Sequence, residues 1–207
     1  MGVSAQRLLA CLVVVVALSL PALGMSKGPS ANNSNDDLTV KYGCSCHNNG
    51  APSDRAVVMV TGVPLLYETS EQYQLTIRVA DSLTLSGGEG NTHAGFLLST
   101  DSIGNFSWDE SQDIRYAEGR ADDISHSDPS DDGIWQINWN APDEDVGTVQ
   151  FWLAGNSVDG AGIPDEMDYW NLLSFTINAP GTITTDESGA TLETRTISVG
   201  TYDSLFL

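Results

Sequence analysis

The run from Gln72 to Val79 alternates at every step, with Tyr73, Leu75, Ile77 and Val79 on one side and polar side chains between them. A period of two places all four apolar residues on one face of a strand, whereas a helix would scatter them around its axis. Other short runs follow the same logic. Ala56 to Val60 is rich in β-branched residues and stops before Gly62; Ala94 to Ser99 is apolar enough for a buried strand. Ile134 to Trp139, Val149 to Ala154 and Leu172 to Ile177 are each bounded by Pro, Gly, Asn or Asp. Asn140-Ala141-Pro142 and Gly147 mark a turn, and Ser86 to Asn91 has loop composition. Beyond residue 30 no stretch longer than a turn carries helical periodicity. About six strands at fairly regular spacing predict an all-β fold, an antiparallel β-sandwich. Residues 109–133 are poor in apolar side chains and read as one long surface loop.

The flanks differ from this middle. Residues 1–24 read as a secretory signal peptide: Arg7, an apolar run from Leu8 to Leu20, and Ala22-Leu23-Gly24 as a small-x-small cleavage site. Residues 25–41 form a polar leader, 42–54 a cysteine-bearing segment and 55–180 the sandwich. Residues 181–207 are a Thr/Ser-rich tail or a final edge strand, with an alternating stretch from Leu192 to Val199. The mature chain shows no membrane span, and its expected location is extracytoplasmic, secreted or at the cell surface. A formal charge of -20, from 8 Lys and Arg against 28 Asp and Glu, excludes nucleic acid as a partner. A phosphate backbone is bound by neutralising it, and this chain brings the wrong sign.

Cleavage would remove Cys11 and leave Cys44 and Cys46 as the only thiols, in Gly43-Cys44-Ser45-Cys46-His47-Asn48-Asn49-Gly50. Two thiols followed at once by an imidazole have three readings. They can attach haem, with thioethers from Cys44 and Cys46 and iron ligation by His47; the usual pattern is Cys-x-x-Cys-His. They can bind copper or zinc through thiolate and imidazole, a zinc site needing a fourth ligand such as His93 or His126. Or Cys44 and Cys46 can close a small strained disulfide. A second axial ligand to haem iron would come from His126, His93, Met59 or Met167.

Ala94-Gly95-Phe96-Leu97-Leu98, His126-Ser127, Trp135 to Trp139 with Ala141-Pro142, and Gly147-x-Val149-x-Phe151-Trp152-x-Ala154-Gly155-Asn156 occur in an order that resembles the Reeler-like domain. More closely, it resembles the exported prokaryotic proteins called choice-of-anchor V. The resemblance covers roughly residues 42–178 and implies an immunoglobulin-like β-sandwich. It also implies a Cys-x-x-Cys-His haem element where this chain has the shorter Cys44-Ser45-Cys46-His47. His126 is the histidine at a position matching the family pattern. On this reading the chain is an exported, c-type cytochrome-like electron-transfer protein with a redox partner. The alternative is a structural or adhesive surface domain that binds another protein or a glycan.

Other features carry less. Asp122-Asp123, Asp128 to Gly133, Asp159-Gly160 and Asp165-Glu166-x-Asp168 have the composition of calcium loops but not the EF-hand spacing, so solvated loops are expected. Of five tryptophans, most are expected in the core, with Trp108 and Trp170 near polar turns and able to line a site. No Gly-x-Ser-x-Gly, phosphate loop or His-Glu-x-x-His is present, and no enzyme activity is expected.

Overall fold

The computed structural model describes residues 43–44, 47–100, 102–117 and 123–179, and the backbone of three short strands beyond them. The signal peptide, the leader and Cys46 lie outside the described residues. In chain order the strands are β1 (Ala56–Thr61), β2 (Gln72–Asp81), β3 (His93–Thr100), β4 (Asn105–Ser107), β5 (Ile114–Tyr116) and β6 (Asp123–His126). They continue with β7 (Ile134–Asn140), β8 (Val149–Val158), β9 (Tyr169–Ile177), β10 (Thr184–Thr185), β11 (Thr191–Leu192) and β12 (Ile197–Val199). A single helical turn, α1 (Ser82–Leu85), follows β2 and is capped by the Asp81 side chain.

Two antiparallel sheets face each other. The smaller has the order β1-β2-β7-β4 and the larger β12-β9-β8-β3-β6-β5; β10 and β11 make a separate hairpin pair. The protein is an all-β sandwich, and the alternation in the sequence explains which residues meet inside it. Leu75, Ile77 and Val79 of β2 and Trp135, Ile137 and Trp139 of β7 are buried from one side. Phe96 and Leu98 of β3, Phe151 and Leu153 of β8, and Leu173, Phe175 and Ile177 of β9 meet them from the other. Phe151 stacks on Phe175 at 4.7 Å, and Trp139 meets Tyr67 and Phe151 edge-on. Each such side chain contributes about 1.5–3 kcal/mol relative to exposure.

The stretch expected to be a long surface loop is not one. Residues 109–133 contain β5 and β6, which extend the larger sheet beyond β3. Their polar composition concealed them: Asp123 and Ser125 are buried alongside Ile124, and Ser125 Oγ donates to Phe96 O at 2.7 Å. At the other edge β12 pairs with β9, which puts an edge strand at the end of the alternating tail segment. No helix among the described residues is long and apolar enough to cross a membrane.

Because the pairing is antiparallel, the starts of β3 and β9, the ends of β6 and β8, and the end of β2 gather at one end of the sandwich. The cysteine-bearing segment packs at this end.

Candidate functional site

The segment is held against β9 by a set of short contacts. Gly43 has φ +51° and lies directly on the Trp170 indole, where an added Cβ would sit 2.2 Å from the ring. Only a residue without a side chain fits there. His47 N donates to Cys44 O at 2.8 Å, and a 3-10 turn follows over Asn48–Gly50. Asn48 N donates to Asp165 O at 3.0 Å, Trp170 Nε1 to His47 O at 3.2 Å, and Ser53 N to Trp170 O at 2.8 Å. Cys44 is half-buried in this arrangement.

The His47 ring is fixed by a carboxylate. Its Nδ1 lies 2.7 Å from Asp168 Oδ2, with the His47 side chain 20% exposed and that of Asp168 only 4%. Asp168 Oδ2 also accepts from Asp165 N at 3.3 Å. A carboxylate at this distance keeps the proton on Nδ1 and makes Nε2 the basic nitrogen, the arrangement by which carboxylates orient metal-ligating histidines. Asp168 was not singled out by sequence reasoning as a partner of His47. Its only signal is the acidic run Asp165-Glu166-x-Asp168, whose composition predicts a solvated loop. Asp165 is spent locally instead, its Oδ1 accepting from Met167 N at 2.7 Å.

Trp170 belongs to the outer face of the larger sheet, and so does the position of His126. Phe96 faces the core, so its neighbour Gly95 faces outward, and Gly95 pairs with Asn156, which pairs with Trp170. The His126 ring lies over Gly95, where an added Cβ would meet its Cε1 at 2.4 Å. The His126 ring over Gly95 and Gly43 on Trp170 therefore lie along one row on one face, with β8 between them. Gly95 and Trp170 are about 10 Å apart at strand spacing. His126 Nδ1 is engaged by the Phe96 backbone, at 2.9 Å from its N and 3.0 Å from its O, so this histidine is anchored in β6 rather than carried on a solvated loop. Midway in the row, Asn156 is buried and its Oδ1 has no hydrogen-bond partner among the described residues. Such an acceptor costs about 1–3 kcal/mol until a donor reaches it.

The other candidates lie elsewhere. His93 has Nε2 at 3.2 Å from Asp131 Oδ1 and Nδ1 at 3.1 Å from Thr92 Oγ1, which ties the 127–133 turn to β3. Met59 is on the outer face of the smaller sheet, remote from His47. Met167 precedes Asp168 and accepts a 3.7 Å contact from Tyr169 O–H. The acidic turn at 128–133 closes on itself, with Asp132 Oδ1 accepting from Ser130 Oγ and Ile134 N. Among the described residues no three His, Cys, Asp or Glu side chains converge as a metal site. Trp135 and Trp139 are in the core as expected; Trp170, only 4% exposed, floors the segment.

A second buried carboxylate stands close by. Asp81 accepts from Arg55 Nε and Nη2, from Leu83 N at 2.9 Å and from Asn91 N at 3.0 Å. Arg55 also donates to Tyr169 O–H at 2.9 Å. Burial pushes the Asp81 carboxyl up, but the Arg55 bonds and the two backbone N–H groups outweigh it, and the net shift is downward.

No protein-family model matches the sequence, and no curated protein does. Among solved structures the chain is similar to the reelin-N domain of F-spondin, with 18% identity over 57% of this chain and 86% of that one, at a TM-score of 0.39. The human F-spondin reeler domain gives 14% identity over 57% and 89%, with a TM-score of 0.37. A conjugative transposon lipoprotein from Bacteroides eggerthii gives 14% over 61% and 99%, also at 0.37. The sandwich rests on the strand pairing itself.

Proposed function

We propose that this chain is an exported electron-transfer protein that carries a c-type haem on its Cys-x-Cys-His segment, with the β-sandwich as scaffold and a redox protein as partner. The observation that carries the reading is the His47–Asp168 pair. Asp168 has left water almost completely, its oxygen 2.7 Å from Nδ1, and the pairing supports the reading by leaving Nε2 as the ring nitrogen open to a ligand. Haem would supply the redox chemistry when bound. Cys46, and Cys44 with it, would hold it by thioether bonds, and His47 Nε2 would ligate. Gly43 and Trp170 keep the segment pressed on the sheet, so that the ligand cannot swing away. His126 is proposed as a second residue to hold the group, since its ring lies along the same row and face; Asn156 Oδ1, between the two, would take a donor from whatever lies across the row. A copper or zinc ion on the same thiol and imidazole groups is the competing occupant, and a Cys44–Cys46 disulfide would leave the site without one.

The experiment is expression of the full chain for export together with c-type maturation enzymes, followed by a visible spectrum and metal analysis. A sharp reduced α band that stays with the polypeptide on a denaturing gel is expected. His47→Ala should abolish native ligation while the haem stays attached, Cys46→Ala should release it on denaturation, and His126→Ala should change the spin state alone. A colourless protein holding stoichiometric copper or zinc transfers the site to that metal.

A further inference from the structure

The strands that lead away from the His47 segment are apolar on both faces. Phe151-Trp152-Leu153-Ala154 in β8, Leu97-Leu98 in β3 and Leu172-Leu173 in β9 run without a polar break, the pattern of strands covered from both sides. Leu98, Phe151, Leu153 and Leu173 are buried in the core. Their neighbours stand on the outer face, and the register orders them. Trp170, Asn156 and Gly95 form the first row, which runs from Gly43 to the His126 ring. Leu172, Ala154 and Leu97 form the second, and Ser174, Trp152 and Ser99 the third. Leu97, Trp152 and Leu172 are only half-buried. In β2 of the smaller sheet, by contrast, the outward positions are Gln72, Gln74, Thr76 and Arg78.

We infer that these outer rows of β9, β8 and β3 seat a porphyrin plate, so that the group on the Cys-x-Cys-His segment is a macrocycle and not a bare ion. The inference rests on the function proposed above and decides between its two occupants. A copper or zinc ion sits about 2.0–2.3 Å from its ligands. It would touch neither Leu172 nor Leu97, and it gives the apolar rows nothing to do. Three strands at about 4.8 Å and three rows at about 6.8 Å make a patch of about 10 by 14 Å, which a flat aromatic plate covers. Such a plate gains by taking Leu and Trp side chains out of water. Asn156 gives the patch its polar point: it is 8% exposed, and its Oδ1 has no partner among the described residues. A water held between Oδ1 and a porphyrin carboxylate donates to both and satisfies that acceptor. A second copy of this chain fits less well. It would bring another -20 of charge to the contact, and the segment raised on Trp170 would meet a flat sheet before the second and third rows did.

The test is titration of metal-free protoporphyrin IX, followed by its fluorescence, into the full chain made without maturation enzymes. Saturable binding of one equivalent is expected. Leu97→Glu with Leu172→Glu should weaken it about tenfold or more. Leu97→Ser with Leu172→Ser should also weaken it, so that the result survives if the charged pair misfolds. Met59→Glu with Ile134→Glu, at exposed apolar positions on the other sheet's outer face, should leave it unchanged. Absence of saturable binding overturns the inference. So does binding that both Leu97, Leu172 pairs leave intact, or that the Met59, Ile134 pair weakens equally. A dimer in sedimentation that Leu97→Glu with Leu172→Glu dissociates would give the face to a second copy instead. A chain that binds porphyrin through these rows yet gains no covalent haem on export keeps this inference and loses the function proposed above; covalent haem without porphyrin binding does the reverse.

Discussion

Asp81 and Asp168 are both buried carboxylates at the same end of the sandwich, and they are used in opposite ways. Asp81 is saturated: a guanidinium and two backbone N–H groups take up its oxygens, and together they join the start of β1, the turn α1 and the 86–91 loop to β2. Asp168 is committed mainly to one imidazole nitrogen, on a residue 121 positions away. The first arrangement closes on itself and has nothing left to offer. The second ends in a ring whose remaining nitrogen can bind something else. The same residue type is closed off where its partners exhaust it, and leaves a partner open to further contact where they do not.

That contrast can be broken by mutation, and Asp81 should give the largest effect. Asp81→Ala leaves Arg55 without its partner and two backbone donors unpaired, and should cost about 3 kcal/mol in urea unfolding. Ligand retention in the surviving folded fraction should be unchanged. Gly95→Ala is next. Its methyl would enter the His126 ring, and about 2 kcal/mol is expected from the forced shift. A cost near zero would show that His126 leaves that position readily. Asp168→Asn should cost only about 1 kcal/mol, since an amide fills the same space and loses chiefly the charge-assisted bond. Its signature is elsewhere: a changed reduction potential or metal affinity, which Asp81→Asn should not reproduce.

The smallest effect is in the pH profile. The Asp81 carboxyl is held below the ordinary carboxylate range in the folded protein. Its contribution is therefore complete above the unfolded value near 3.9 and is lost as pH falls through the lower folded value. Stability measured from pH 6 down to pH 2 should fall over that lower interval, and Asp81→Asn should remove this part of the slope. An unchanged slope would mean that Asp81 is not the carboxylate that matters there.

Much of the sandwich could be read from the sequence because alternation reports burial directly. Tyr73 to Val79, Trp135 to Trp139 and Val149 to Leu153 each put their apolar members inside. β5 and β6 could not, because polar residues, Asp123 and Ser125, take buried places there, Ser125 through its bond to Phe96 O. The site was half legible. His47 stood out beside its cysteines, but Asp168 and Trp170 are joined to it only through the return of β9, and no spacing rule links residues so far apart. Gly95 and Gly43 were equally silent, because what makes each necessary is a ring from another part of the chain.

His47, oriented by Asp168, is proposed to ligate a covalently attached haem. The most direct measurement is the reduced visible spectrum of the exported full chain before and after denaturing electrophoresis, alongside His47→Ala. A sharp α band whose haem remains with the polypeptide on the gel is expected, with a variant that keeps the covalent haem but loses the native ligation. A protein that matures alongside a working c-type cytochrome control and still carries neither haem nor a stoichiometric metal would contradict it.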